Sequence, residues 1–184
     1  MLRVEPTAIP DVKVVTPERF GDDRGFFSEL YNRQRFAKAG IIAEFIQDNS
    51  SFSMSAGTVR GLHFQSEPFA QAKLVRVVRG RILDVAVDLR RSSPTYGKHV
   101  AVELSPENGC QLFVPVGFAH GFCTLEPCTG VEYKVSAYYS AAHSHGLFWN
   151  DPDLGISWPV DPAIAVLSNK DCQLPRLAEL PTYF

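Results

Sequence analysis

The chain alternates in steps of two. In "RILDVAVDLR", residues 81–90, Leu83, Val85, Val87 and Leu89 fall on one side of an extended strand, and Ile82, Asp84, Ala86 and Asp88 on the other. The preceding "KLVRVVRG" ends on a turn at Arg79-Gly80, so residues 73 to 89 are predicted to form a β-hairpin. Further short strands are predicted near residues 12–16, 25–31, 44–52, 57–65, 98–104, 111–114, 120–126 and 130–139, punctuated by Gly, Pro, Asn and Asp. One run is helical, "NRQRFAKA" at about 32–39, stopped by Gly40. The stretch after "WNDP" reads as loop with a short helix near the C-terminus. Many short strands at this spacing imply an all-β sandwich or barrel, the jelly roll among them.

Composition narrows the picture. A length of 184 residues suits one domain, or one domain with a swapped arm, and 45% hydrophobic residues supply a core. A net charge of -2 gives no sign of a nucleic-acid or membrane partner. The four cysteines, Cys110, Cys123, Cys128 and Cys172, form no CxxC pair and read as reduced thiols of a cytoplasmic protein. The opening "MLRVEPTAIPDVKVV" lacks the plan of a signal peptide, and no apolar run is long enough to span a bilayer.

Against this apolar background several polar residues stand out. Asp84 lies in a strand apolar on both faces, where a carboxylate needs a partner unless it sits at a wet rim. Lys73, across the predicted turn, is a candidate partner, and both readings stand. Tyr133 shares parity with Val131 and Val135 and so points inward, as a core tyrosine bonded to a carbonyl or as a functional hydroxyl. His63, in "RGLHFQ", shares parity with Val59, Gly61 and Gln65, whereas Arg60 falls on the opposite parity. A bulge at Gly61 would bring both to one pocket. His120, in "PVGFAHGF", is placed at a strand start, either at a barrel mouth or capped by a loop carbonyl. Five inward polar residues, His63, Lys73, Asp84, His120 and Tyr133, would be hard to satisfy as structure alone.

Metal-binding barrels of this kind often use two histidines one residue apart, with a carboxylate and a later histidine. Here the first motif is "HFQ", so Gln65 stands where the second histidine would be. His143 and His145 have the spacing, but in a stretch that reads as a solvated loop. No metal is expected, and acid–base chemistry is the better account.

Four stretches, "FGDDRGFFSELYN", "QDNSSFS…GTVRGLHFQ", "AQAKLVRVVRGRILDVAVDLRRSSPTYG" and "QLFVPVGFAHGF", resemble the dTDP-4-dehydrorhamnose 3,5-epimerases. "EYKVSAYYS", "WNDPDLGISWP" and "LSNKD" extend the likeness over nearly the whole chain. The resemblance implies a cupin-type jelly-roll barrel with a few short peripheral helices, working as a homodimer without metal or organic cofactor. It implies an N-terminal arm, about residues 1–30, exchanged with the partner subunit. The reaction implied is inversion at C3 and C5 of a dTDP-4-keto-6-deoxyhexose; relatives that invert only C3 or C5 share the same acid–base residues.

By the same resemblance His63 is the base, Asp171 orients and charges it, Tyr133 returns a proton from the opposite face, and Lys73 stabilises the enolate. Histidine suits the base because it titrates near neutrality. Arg24 and Glu29 match substrate contacts given by the partner's arm. Gln47, Asn49, Arg60, His120 and Lys170 match further substrate contacts, and Tyr139 matches the ring that stacks on thymine. Surface salt bridges are the competing reading for Arg24 and Arg60. Phe26 and Phe27 are read as packing residues where the arm docks. Family members often carry Glu where this chain has Ser144, which puts one nucleotide contact in question.

Overall fold

The computed structural model describes residues 1–184. Thirteen strands and one α-helix run in the order β1 (Arg3–Pro6), β2 (Lys13–Thr16), β3 (Phe20–Asp22), β4 (Gly25–Phe27), α1 (Arg33–Lys38), β5 (Gln47–Ser53), β6 (Val59–Gln65), β7 (Lys73–Arg79), β8 (Ile82–Asp88), β9 (His99–Leu104), β10 (Gln111–Val114), β11 (Phe118–Thr124), β12 (Thr129–Val135) and β13 (Ser144–Gly146). Two antiparallel sheets form a jelly-roll sandwich, one in the order β1-β2-β10-β7-β12-β5 and the other β13-β6-β11-β8-β9. The helix begins where the Asn32 side chain accepts hydrogen bonds from the Gln34 and Arg35 backbone N–H groups. It stops before Gly40, whose φ of 79° suits a residue without Cβ.

The predicted hairpin over residues 73–89 does not form. β7 pairs with β10 and β12, and β8 pairs with β11 and β9, so the two strands lie in opposite sheets. β8 is apolar on both faces because it is covered on both, whereas the outer face of β7 is covered at Leu74 but not at Arg76 and Val78. Val75 and Val77 from β7 meet Ile82 and Ala86 from β8 between the sheets, with Leu112, Phe118, Phe122 and Val131. The outer face of the second sheet is covered by the C-terminal segment, where Leu62, Val85 and Val87 pack with Leu154 and Leu180. Part of the outer face of the first sheet is covered by Phe36 of α1 and by Ile41, packed on Val15 and Leu74. The C-terminal segment holds short 3-10 turns at Pro152–Leu154, Asp171–Gln173 and Leu177–Glu179.

"HSH" is not a solvated loop. Ser144–Gly146 adds an edge strand to β6. His145 Nε2 lies 3.2 Å from Ser66 Oγ and its ring 4.4 Å from that of Tyr183. The neighbouring apolar residues Phe64 and Tyr183 draw this stretch onto the sheet. β1 and β3 lie outside the strands predicted from the pattern; both are short, three or four residues long.

Within residues 1–30, β1 and β2 pair into the chain's own sheet through β10. β3 and β4 pair only with each other, and every residue in them is exposed.

Candidate active site

The interior faces of five strands converge at one end of the sandwich. On β7 the inward parity is Lys73, Val75, Val77; on β12 it is Val131, Tyr133, Val135; on β8 it is Ile82, Asp84, Ala86. Most of these positions are apolar and close the core. Lys73, Tyr133 and Asp84 are the polar substitutions in that pattern, and they lie near one another because the strands are in register: Tyr133 pairs with Val75, and Val135 with Lys73.

The step from Arg60 to His63 would set the two side chains on opposite faces of a regular strand. The β6–β11 pairing breaks register there: His120 pairs with His63, and Phe122 with Arg60, so β6 carries one residue more than β11. This bulge turns both side chains toward the same void. The strict parity of His63 with Val59 and Gly61 therefore does not hold. Gly61 makes the bulge possible. Its φ is +132°, and a Cβ there would lie 2.6 Å from Gly121 Cα and 2.9 Å from the His120 carbonyl oxygen.

The void has a volume of about 490 Å³, and Arg60, His63, Lys73, His120, Tyr133 and Asp171 are among its walls. An adjoining space of about 240 Å³ shares His63, Lys73, Tyr133 and Lys170 and adds Gln47, Asn49, Tyr139 and Ser144. The remaining wall comes from the C-terminal segment. It is held to β6 by hydrogen bonds from Val59 N–H to the Val166 carbonyl (2.9 Å) and from Val166 N–H to the Gly57 carbonyl (3.0 Å). That short parallel pairing delivers Ser168, Lys170 and Asp171 to the mouth.

Asp171 Oδ1 lies 2.6 Å from His63 Nε2. The carboxylate is buried, whereas His63 is 37% exposed to the void. Burial pushes the Asp171 carboxyl up, but hydrogen bonds from His63, Ser168 and the Gly61 backbone, with the His63 charge, outweigh it and hold the group below its ordinary range. A second histidine–carboxylate pair lies deeper. His120 Nε2 is 2.7 Å from Asp84 Oδ1, with both side chains buried. Burial lowers the His120 imidazole against the opposing pull of Asp84, and the charges of Lys73 and His63 lower it further. Asp84 is therefore no rim residue, and its bonded partner is His120, not Lys73. His120 is the third residue of its strand and is bound to a carboxylate, so neither the strand-start placement nor the loop-carbonyl cap holds.

Lys73 is buried, and its ammonium donates to the His63 carbonyl at 3.2 Å. Burial brings it down to about 8, with the Asp84 charge opposing. Burial raises the Tyr133 hydroxyl, and the nearby Arg60 charge opposes the rise. Arg60 Nε donates to Ser53 Oγ (3.1 Å) and its Nη2 to the Phe52 carbonyl (3.0 Å), which fixes the guanidinium at the void without a carboxylate partner. Gln47 Nε2 donates to Asn49 Oδ1 (2.9 Å), and Gln47 Oε1 accepts from Tyr139 N–H (3.2 Å). Tyr139 itself is 63% exposed beside the opening.

Gln65, at the place of a second ligand histidine, is a structural amide. Its Nε2 donates to the Phe69 and Tyr138 carbonyls, and its Oε1 accepts from Ser140 N–H. No three His, Cys, Asp or Glu side chains converge as a metal site would require.

Ten of the twelve residues to which the family resemblance gives a catalytic or substrate-binding role meet at these two spaces. The others, Arg24 and Glu29, do not. Arg24 is paired with Asp22 on the exposed β3–β4 hairpin, and Glu29 with Arg35. The signal missed was the Asp84–His120 pair. Both residues have inward parity, but only the β8–β11 pairing puts Asp84 opposite Phe122, two residues from His120 on the same face.

A profile of the dTDP-4-dehydrorhamnose 3,5-epimerase family matches residues 6–179. A dTDP-4-dehydrorhamnose 3,5-epimerase of Sinorhizobium fredii is 56% identical over 177 residues, 96% of this chain and 90% of that one. A crystal structure of the Bacillus anthracis enzyme of the same name, with TDP and PPi bound, is 52% identical, superposes with a TM-score of 0.92, and is matched over 96% of this chain and 99% of that one. The dTDP-6-deoxy-D-glucose-3,5-epimerase of Legionella pneumophila, solved with dTDP-4-keto-L-rhamnose, is 40% identical with a TM-score of 0.93, over 98% of this chain and 95% of that one.

Proposed function

This chain belongs to the dTDP-4-dehydrorhamnose 3,5-epimerase family, and from that membership we propose that its void is the active site of an isomerase inverting C3 and C5 of dTDP-4-dehydro-6-deoxy-D-glucose. The relatives' names favour the double inversion over inversion at a single carbon. The observation that carries the assignment of roles is that His63 and Tyr133 border one void together with Lys73.

The C3 and C5 protons are acidic because both carbons adjoin the C4 ketone. His63 takes the proton; the C–H electron pair becomes the enolate double bond, and negative charge collects on O4. Asp171 accepts from one ring nitrogen, which leaves the other as base and stabilises the imidazolium. The Lys73 ammonium neutralises the enolate oxygen, a contribution of the order of 3 kcal/mol for a preorganised donor. Tyr133 then gives its proton to the opposite face of the carbon, and the electron pair returns to rebuild the ketone. The tyrosinate so formed is met by Arg60. A proton exchanged through solvent restores Tyr133 and His63 before the second carbon reacts.

The void's charge suits a nucleoside diphosphate. Arg60 and Lys170 bring cations held in no ion pair, and the one carboxylate among its walls, Asp171, is engaged by His63. Tyr139 offers a flat exposed ring for the base. Ser144 contributes a hydroxyl in place of the family's carboxylate at this end.

The protein acts as a homodimer in which the arm carrying Arg24 and Glu29 completes the partner's site. Three features support this. Phe20, Phe26 and Phe27 on β3 and β4 are 51%, 61% and 70% exposed. Arg24, in the turn between them, has a 90% exposed side chain. The uncovered outer face of the first sheet holds a groove of about 580 Å³ bordered by Arg76, Gln111, Glu132 and Lys134. The cytoplasm, where thiols stay reduced, suits the four unpaired cysteines.

The test is turnover in deuterated water, with NMR following the keto-sugar. Deuterium at both C3 and C5 is expected, and addition of a suitable reductase should yield dTDP-L-rhamnose. Label at one carbon only refutes the double inversion. Light scattering that finds an active monomer refutes the exchanged arm.

A further inference from the structure

Asp84 is the one charged group of this interior to which the chemistry above gives no task. It is wholly buried, is not among the walls of the void, and lies behind two residues that are. Its two oxygens differ. Oδ1 is engaged by His120, and Oδ2 is buried with no hydrogen-bond partner. Unpartnered buried carboxylate oxygens are uncommon and call for a compensating charge.

The compensating charge available is Lys73, across the sandwich on β7. Its ammonium donates to a neutral carbonyl, and Asp84 is the carboxylate whose charge acts on it. The other ionisable groups around this interior are His120 on β11, His63 and Arg60 on β6, Tyr133 on β12, and Lys170 and Asp171 from the C-terminal segment. None of them supplies Lys73 with a free negative charge, since Asp171 is engaged by His63. We propose that Asp84 is a positioning residue: one oxygen fixes the His120 ring, and the other is the counter-charge that keeps Lys73 an ammonium. The catalytic consequence rests on the epimerase reading; the electrostatic relation does not.

This arrangement has two effects. Burial already brings Lys73 down to about 8 with Asp84 in place, a small margin above neutrality. Without Asp84 a larger share of the buried amine loses its proton near neutrality and can no longer neutralise an enolate. At His120, burial favours the neutral ring, and a carboxylate accepts only from N–H. Nε2 therefore carries the proton, and Nδ1 is left as an acceptor for a sugar hydroxyl.

The experiment compares Asp84→Asn and Asp84→Glu with the wild type. The Lys73 side-chain nitrogen is followed by 15N NMR against pH, its signal assigned by its loss in Lys73→Met. In Asp84→Asn the Lys73 midpoint should fall by about one unit or more, the usual effect of losing a nearby opposite charge. Asp84→Glu should stay within a few tenths of a unit of the wild type. In turnover, the alkaline limb of the kcat profile should move to lower pH in Asp84→Asn, by the same interval. A purely structural role would lower kcat equally at every pH. An unmoved Lys73 midpoint in folded Asp84→Asn overturns the proposal, as does a shift in Asp84→Glu as large as that in Asp84→Asn. Melting curves establish folding; should Asn not be tolerated, Asp84→Ser takes its place, with the same fall in the Lys73 midpoint expected and an unmoved midpoint against. A wild type that turns over no keto-sugar would refute the epimerase reading and leave the Lys73 titration to decide this one.

Discussion

Replacing Asp171 with asparagine removes one charge and keeps the shape, and the geometry dictates the outcome. Asp171 Oδ1 lies 2.6 Å from His63 Nε2. A carboxylate only accepts, so Nε2 bears the proton and the ring's second nitrogen is free to act as base. An asparagine amide can turn its NH2 toward Nε2. That nitrogen must then accept, the ring proton moves to the other nitrogen, and the base is occupied. The lost charge adds to this. A hydrogen bond to a charged group contributes roughly 1.5–3 kcal/mol. His63 is 37% exposed, so solvent screening favours the lower half of that range. About 2 kcal/mol is a factor of roughly 30 in rate. Inverting the tautomer of a catalytic histidine has cost about 10⁴ in serine-protease triads. The expected fall in kcat thus lies between about 30-fold and about 10⁴-fold, with KM changed little because Asp171 bonds the ring. The assay is deuterium incorporation at C3 and C5 under saturating substrate. A folded variant with kcat within tenfold of wild type, or a loss explained by KM alone, would refute the reasoning.

Tyr133→Phe should retain exchange of the abstracted proton with solvent while inversion falls by at least about 10², the scale of a lost general acid; NMR of recovered substrate in deuterated water separates the two. Gly61→Ala should destabilise the fold by at least about 3 kcal/mol, from strain at positive φ and overpacking against Gly121, read as a fall in the urea midpoint; an unchanged midpoint would mean that the β6–β11 contact relaxes freely. Burial raises the Asp88 carboxyl, but hydrogen bonds from Arg90, Ser93 and Thr95 outweigh it and hold the group at about 2, below its ordinary 3.8. Its stabilisation is therefore present at neutral pH and is lost as pH falls from 3.8 through about 2. Asp88→Asn should lower neutral stability by about 2 kcal/mol and flatten the acid limb of a stability–pH curve; a curve parallel to wild type would contradict this.

The strand parity of β7, β8 and β12 was legible because alternation is a local property of the chain. It put Lys73, Asp84 and Tyr133 inward from their neighbours alone. Which sheet each strand joins is a long-range property. The Arg79-Gly80 turn looks like a hairpin turn, yet it links strands of opposite sheets, so the residue that hydrogen-bonds Asp84, His120 on the neighbouring β11, stayed hidden. Arg60 and His63 could be joined only by a bulge, and a bulge breaks the very periodicity used to find strands. β13 is three residues long, too short for a pattern, and takes its order from Phe64 and Tyr183, which come from elsewhere in the chain. Roles for Asp171, Lys170 and Arg24 came from likeness to a family, since loops and an exposed hairpin bear no periodic signal.

The near-contact of Gly61 with Gly121 has a kinematic consequence. It pinches two neighbouring ribbons together at the point where His63 and His120 are register partners. The backbone carrying the two imidazoles cannot be shifted bodily toward a second carbon without prising that seam apart. On the proposed chemistry, a tool so firmly mounted must wait for its workpiece to be turned: between the first inversion and the second, it is the hexose ring that has to pucker and re-present itself, while the protein stays still.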